Sequence, residues 1–222
     1  MIELRPASSW ADGHTMLAEV ALTATGAHTG VLYQRAADGE LRVLDLAFHF
    51  RMRDEPADRW SGASVTPTLD SIQCELIATY CEMTASHLPR QSVPYALRYT
   101  DGRFDDGAYV QGNDRGLTCA TFVLALVRAA TGLEMLDRST WRARPEDEEA
   151  HRQLVETLED WHQKGRVDRA HVEGVRAEVG CMRYRPEEVA AASATDPRPV
   201  EYERAERAGT VVLAELRALF PE

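Results

Sequence analysis

Between Leu117 and Ala130 the only polar side chains besides the thiol of Cys119 are Thr118, Thr121 and Arg128. A helix this apolar is buried on nearly all sides, so the rest of the chain has to wrap it. Gly132, just past its end, supplies the stop. Burial leaves the amides of the first turn to be satisfied by a side chain or a ligand. Cys119 opens this helix. The macrodipole and free amides there favour an anion, which lowers the pKa of a thiol and frees the thiolate, the reactive form of cysteine. The commonest fate of a free cysteine is a small buried hydrophobe. The polar segment Asp101–Gly116, with four glycines, leads directly into the helix and suits close approach of a substrate.

Some ninety residues earlier, His28–Arg35 (HTGVLYQR) and Leu41–His49 (LRVLDLAFH) are rich in strand formers and flank Asp38-Gly39, a strong hairpin signal. A two-residue loop at Asp38-Gly39 pairs Ala37 with Glu40 and sets His28 directly opposite His49, with Cα atoms about 4.5 Å apart. His28, Gly30, Leu32, His49, Ala47 and Asp45 then share one face. Thr29, Val31, Tyr33, Phe48, Leu46 and Leu44 share the more apolar one. A histidine acting as base needs a partner that fixes its tautomer. In this register His49 is the first candidate. Asp45, four residues along the strand and about 13 Å from His49, is the second.

The remaining chain reads as follows. Thr15–Thr25 is a strand or a short helix. Arg51–Pro67 is a loop. Thr68-Leu69-Asp70-Ser71 caps a helix through about Ser86, ended by Pro89 and Pro94. Val93–Tyr99 is a short extended segment. Pro145 opens a helix with acidic residues in its first turn and Lys164-Gly165 at its end. Arg185–Pro199 reads as a linker. Glu201–Phe220 is an amphipathic helix whose apolar side is Val212, Leu216 and Leu219. Cys74 and Cys81, seven apart, lie on one side of a helix as core residues. The pairs Glu148/His151 and Glu159/His162 have the spacing of metal-ligand motifs, but the two copies are about 16 Å apart along one helix, and a solvated face is the better reading.

With 222 residues, the chain fits one domain that buries a substantial core: residues 1–184 as the main α+β body, and 185–222 as linker and C-terminal helix packed on it. A net charge of −11 disfavours nucleic acid or an anionic membrane as partner. The N-terminus has no secretory pattern, and no window approaches the roughly 18 apolar residues of a spanning helix. The four cysteines form no CxxC pair. A cytoplasmic protein with reduced thiols follows, and secretion by a route without an N-terminal signal is also compatible.

His28-Thr29-Gly30 opening a hairpin strand, and Thr118-Cys119-Ala120-Thr121-Phe122-Val123 opening a buried helix, resemble the circularly permuted papain-like hydrolases, relatives of the NlpC-type peptidases and lecithin:retinol acyltransferase. The resemblance covers roughly His28–Ala130. It matches the Cys and Phe-Val of the family's Asp-Cys-Ser-Gly-Phe-Val type motif and departs at the residue before the cysteine and the two after it. It implies a papain-like α+β fold in which an antiparallel sheet packs against the buried nucleophile-bearing helix, with additional C-terminal helices. It implies further that Cys119 is the nucleophile, His28 its base, and a polar residue on the next strand, His49 here, the third member. Asn113, Gln111, Thr118 and Tyr95 are candidates for the oxyanion site or the cleft. The expected function is a cysteine-dependent hydrolase or acyltransferase acting on an amide, peptide or (thio)ester bond, requiring no metal or organic cofactor. The alternative is a non-catalytic protein-binding module on the same fold, with a protein partner recruited through the C-terminal helices.

Overall fold

The computed structural model describes residues 4–6, 16–23, 26–60, 62–88 and 93–220. Pro89 and the residues Thr15 and Thr25 that bound the first sequence segment lie outside them. The fold is α+β. Six antiparallel strands, β1 (Leu4–Pro6), β2 (Met16–Thr23), β3 (Gly26–Gln34), β4 (Leu41–Phe48), β5 (Arg51–Pro56) and β6 (Gly62–Val65), form one sheet in the order β1-β6-β2-β3-β4-β5. The ambiguous first segment is thus a strand. The expected loop Arg51–Pro67 instead contributes β5 and β6. The charges of β5 (RMRDEP) give no alternating apolar pattern, yet an edge strand tolerates them when they pair across the ladder. Arg42 on β4, for example, donates to Asp54 on β5 at 2.8 Å.

The β3–β4 hairpin is wider than a two-residue loop. The Arg35 amide donates to Glu40 O and the Gly39 amide to Arg35 O, which makes Ala36–Gly39 the turn, with Gly39 at φ 74°. Val31 therefore pairs with Leu44 and Gln34 with Leu41. This register is two residues away from the one that sets His28 opposite His49, and that pairing is corrected. The shared face of His28, Gly30 and Asp45 survives, because a slip of two preserves side-chain alternation. The irregularity between Leu46 and Phe48 ends that alternation before His49, and Phe48 lines the same cleft as His28 and Ala47.

Helix α2 (Cys119–Thr131) is the centre of the molecule. Phe122, Val123, Leu126 and Val127 are fully buried against Val31, Tyr33, Leu44 and Leu46 of the sheet, and against Ile77 and Cys81 of α1 (Ser71–Ser86). Asp70 caps α1 by accepting from the Gln73 amide at 2.8 Å. Between α1 and α2, the segment read as a glycine-rich loop carries a small hairpin, β7 (Arg103–Asp105) and β8 (Ala108–Val110).

Past α2 come α3 (Glu148–Gln163), α4 (Arg169–Arg176), α5 (Pro186–Ser193) and α6 (Tyr202–Leu219). The expected linker Arg185–Pro199 is corrected: α5 is core, with Val189, Ala190, Ala191 and Ala192 all fully buried. Small residues make α5 look like a linker but allow close packing. Gly209 of α6 does the same from the other side, since a Cβ there would meet Glu188 of α5 at 3.0–3.1 Å. Val212 and Leu216 of α6 pack on Ala190, Ala191, Ala63 and Val65, whereas Leu219 is exposed rather than part of the buried stripe. Among the described residues no helix is long and apolar enough to cross a membrane.

Candidate active site

The described β3–β4 pairs end at Val31↔Leu44, so the first residues of β3 are not laddered to β4. The start of α2 meets the sheet there. Thr118 caps the helix reciprocally with Thr121: the Thr121 amide donates to Thr118 Oγ1 at 3.2 Å, and the Thr118 amide to Thr121 Oγ1 at 2.7 Å. Cys119, 5% exposed, follows at the first helical position. The Tyr95 hydroxyl donates to its sulfur at 3.8 Å, and the His28 ring and the Thr29 amide are close enough to stabilise its charge.

His28 Nε2 lies 2.7 Å from Asp45 Oδ2. With Nε2 engaged by Asp45, Nδ1 is the ring nitrogen left for the thiol. Asp45 is completely buried. The β4–β5 register sets it opposite Arg53, whose Nε and Nη2 grip its two oxygens at 3.1 and 2.7 Å. Trp60 closes the group from the side, its ring 5.6 Å from that of His28 and under the Arg53 guanidinium. Gly30 makes this possible: a Cβ there would meet Asp45 Cβ and Leu44 O at 2.9 Å.

Electrostatics follow from this geometry. Burial disfavours the charged ring of His28, but the neighbouring Cys119 thiolate and the Asp45 hydrogen bond outweigh it and push the pKa up to about 10. Burial likewise disfavours the Cys119 thiolate, and the His28 charge and hydrogen bond outweigh it, holding the thiol below its ordinary value. The two shifts describe one imidazolium–thiolate pair. Burial instead pushes Cys81 well above, and Cys181 up to about 11.

His49 is not beside His28. It sits in the turn after β4, buried, with Nδ1 accepting from the Tyr95 amide at 3.2 Å and its ring 4.5 Å from that of His171. His171 Nε2 donates to Tyr95 O at 2.9 Å. Burial and the second ring lower the His49 pKa to about 4, so it is a neutral acceptor that fixes the Tyr95 backbone. Tyr95 is held further by the bridge between Pro94–Ala96 and Leu117. Gly116 permits that bridge, since a Cβ there would lie 2.1 Å from Pro94 O. The result sets the Tyr95 hydroxyl 3.4 Å from the Cys119 amide, which donates to it.

Asn113 and Gln111 are elsewhere. Asn113 Nδ2 donates to Asp101 and Gln111 Nε2 to Asp114 O, and both line a different groove. Their amides serve the loop that contains them. Thr118, by contrast, lines the Cys119 cleft.

That cleft has a volume of about 310 Å³. Its floor is His28, Ala47, Phe48, Tyr95 and Cys119. α3 and the segment before α5 also line the cleft, through His151, Leu154, Arg183 and Tyr184. Sequence reasoning missed Arg53, because its strand carries no apolar alternation. It also placed His151 on a solvated face, whereas His151 is 1% exposed. A weak signal for His151 exists in the α3 pattern, where Ala150, Leu154 and Thr157 recur at helical spacing on the same side. No known protein family, curated protein or solved structure matches the chain.

Proposed function

We propose that the protein is a cysteine-dependent hydrolase or acyltransferase of the papain-like kind, with Cys119 as nucleophile, His28 as base and Asp45 as the group that orients it. The observation that supports this most is that one part-buried histidine, bonded to a buried carboxylate, lies against a helix-start thiol in a shared cleft. Those are the roles that nucleophilic catalysis needs.

The Cys119 proton resides on His28, and the thiolate attacks the carbonyl carbon of a peptide-like or acyl substrate. The oxyanion that forms is held by the Cys119 amide and by the Tyr95 hydroxyl, which turns from sulfur to oxygen. Collapse breaks the bond to the leaving amine, alcohol or thiol, which takes the proton from His28. Water or an acceptor then gives its proton to His28 and attacks the thioester, and the Cys119 thiolate leaves. The reaction as written requires no metal or organic cofactor.

The test is selective alkylation followed by turnover. Iodoacetamide at neutral pH labels Cys119 well ahead of Cys81 and Cys181, and His28→Ala abolishes that advantage. Cys119→Ala keeps the fold and eliminates hydrolysis of a panel of peptide, amide and thioester substrates. If Cys119 reacts no faster than the other thiols and no substrate is turned over, the protein-binding module with its acidic C-terminal helices takes its place.

A further inference from the structure

We propose that the wall of the cleft facing Cys119 is a carboxylate subsite, in which the His151 Nε2–H and the Arg183 guanidinium receive a carboxylate carried by the substrate. The inference rests on the Cys119 reading and adds the substrate class.

Buried polar groups are almost always hydrogen-bonded, so an exception calls for an explanation. His151 is such an exception. Its Nδ1 accepts from the Gly180 amide at 3.2 Å, which fixes the neutral ring as the Nε2–H tautomer. Nε2 itself is buried and has no hydrogen-bond partner. Burial, reinforced by the nearby Arg183 charge, keeps the ring neutral. His151 therefore holds one buried, unused donor, and the residue lines the same cleft as Cys119.

Arg183 lines the cleft beside it. Its Nη1 bonds Asp147 Oδ1 at 3.2 Å, but Asp147 also receives Arg144 at 2.7 Å and Arg185 at 2.9 Å. Glu188 pairs with Arg144, and Glu148 with Arg152. One carboxylate shared among three guanidiniums does not saturate Arg183, whose planar fork suits a second carboxylate. The same cleft carries an apolar surface from Phe48, Leu97, Ala150 and Leu154, alongside the polar Gln153 and Thr157. The substrate this describes has an acyl carbon at Cys119, a short apolar body and a carboxylate beyond it.

The experiment uses iodoacetamides N-substituted with alkyl chains of increasing length that end in either a carboxylate or the matching carboxamide. The Cys119 thiolate displaces iodide in each case, and labelling rates are measured on the whole protein by mass spectrometry. At one or more lengths the acid labels Cys119 roughly tenfold faster than its carboxamide, the worth of one charge-assisted hydrogen bond. His151→Asn keeps an acceptor for the Gly180 amide but removes the distal donor, and it loses the preference. His151→Gln carries a donor at the distal position and retains most of it. Arg183→Gln also loses it, and so provides a second reading if His151→Asn fails to fold. Unsubstituted iodoacetamide reacts equally with all of them. The subsite is overturned if acid and carboxamide react alike at every length. It is also overturned if the preference survives both His151→Asn and Arg183→Gln, since it then belongs to the His28 imidazolium. If Cys119 shows no special reactivity toward any reagent, the proposed function falls and the subsite falls with it.

Discussion

Replacing Asp45 by Asn keeps the shape of a fully buried side chain and removes its charge. The carboxylate now accepts from His28 at 2.7 Å and from Arg53 at 3.1 and 2.7 Å. The His28 bond is the one that matters for proton affinity, because it is made to the charged ring. Losing a charge-assisted hydrogen bond of about 1.5–3 kcal/mol lowers the affinity of the ring for its proton roughly 10- to 150-fold. The sign follows from the linkage. The His28 pKa is raised, to about 10, so the imidazolium and whatever stability it brings are present at neutral pH and lost as pH rises through that value. In Asp45→Asn this loss moves to lower pH. The thiolate it supports at Cys119 is reduced by up to the same factor. The assay is an NMR titration of the His28 ring, with iodoacetamide labelling of Cys119 across the same pH range. Arg53 is one-third exposed and finds water when its partner goes, so the variant folds. An upper His28 midpoint that stays at about 10 in Asp45→Asn refutes the assignment of Asp45 as the orienting group.

Three further outcomes follow from packing and charge. Gly30→Ala drives a methyl into Asp45 Cβ and Leu44 O, both 2.9 Å away; it lowers stability by about 1–3 kcal/mol in urea unfolding and slows Cys119 labelling as Asp45 shifts. Leu216→Ala empties a fully buried site between α6, α5 and the sheet and costs about 2–5 kcal/mol, read as a lowered thermal midpoint. Arg144→Met leaves Glu188 buried without its cation, while Asp147 keeps Arg183 and Arg185, and costs roughly 3 kcal/mol at neutral pH. Burial opposes ionisation of Asp147, but Arg144 and Arg185 hold its pKa below the usual carboxylate range. Its stabilisation is therefore present above that range and lost as pH falls through the depressed value, so the gap between wild type and Arg144→Met in urea narrows at acid pH.

The local elements were largely legible in the sequence. The apolar run after Leu117 fixes a central helix, and Thr118 and Gly132 fix its ends, because capping and burial depend on neighbours a few residues away. Strand alternation identified β3 and β4 and the faces of their side chains as far as Leu46, before the irregularity at Phe48. The amino-acid order also singled out Cys119 and His28. Tertiary structure decided how far along each strand the partners meet. The turn at Ala36–Gly39 shifted the register by two residues, and with it replaced His49 by Asp45 as the neighbour of His28. A slip of two leaves the face pattern unchanged, so no hydrophobic periodicity can detect it. Likewise α5 is indistinguishable from an alanine-rich linker until Gly209 lets α6 approach it. His151 looks like any polar residue on a helix until α3 is laid across the cleft. Periodicity reports which side of an element is apolar. It carries no information about which distant element covers that side, and that is where Asp45, Arg53 and His151 acquire their partners.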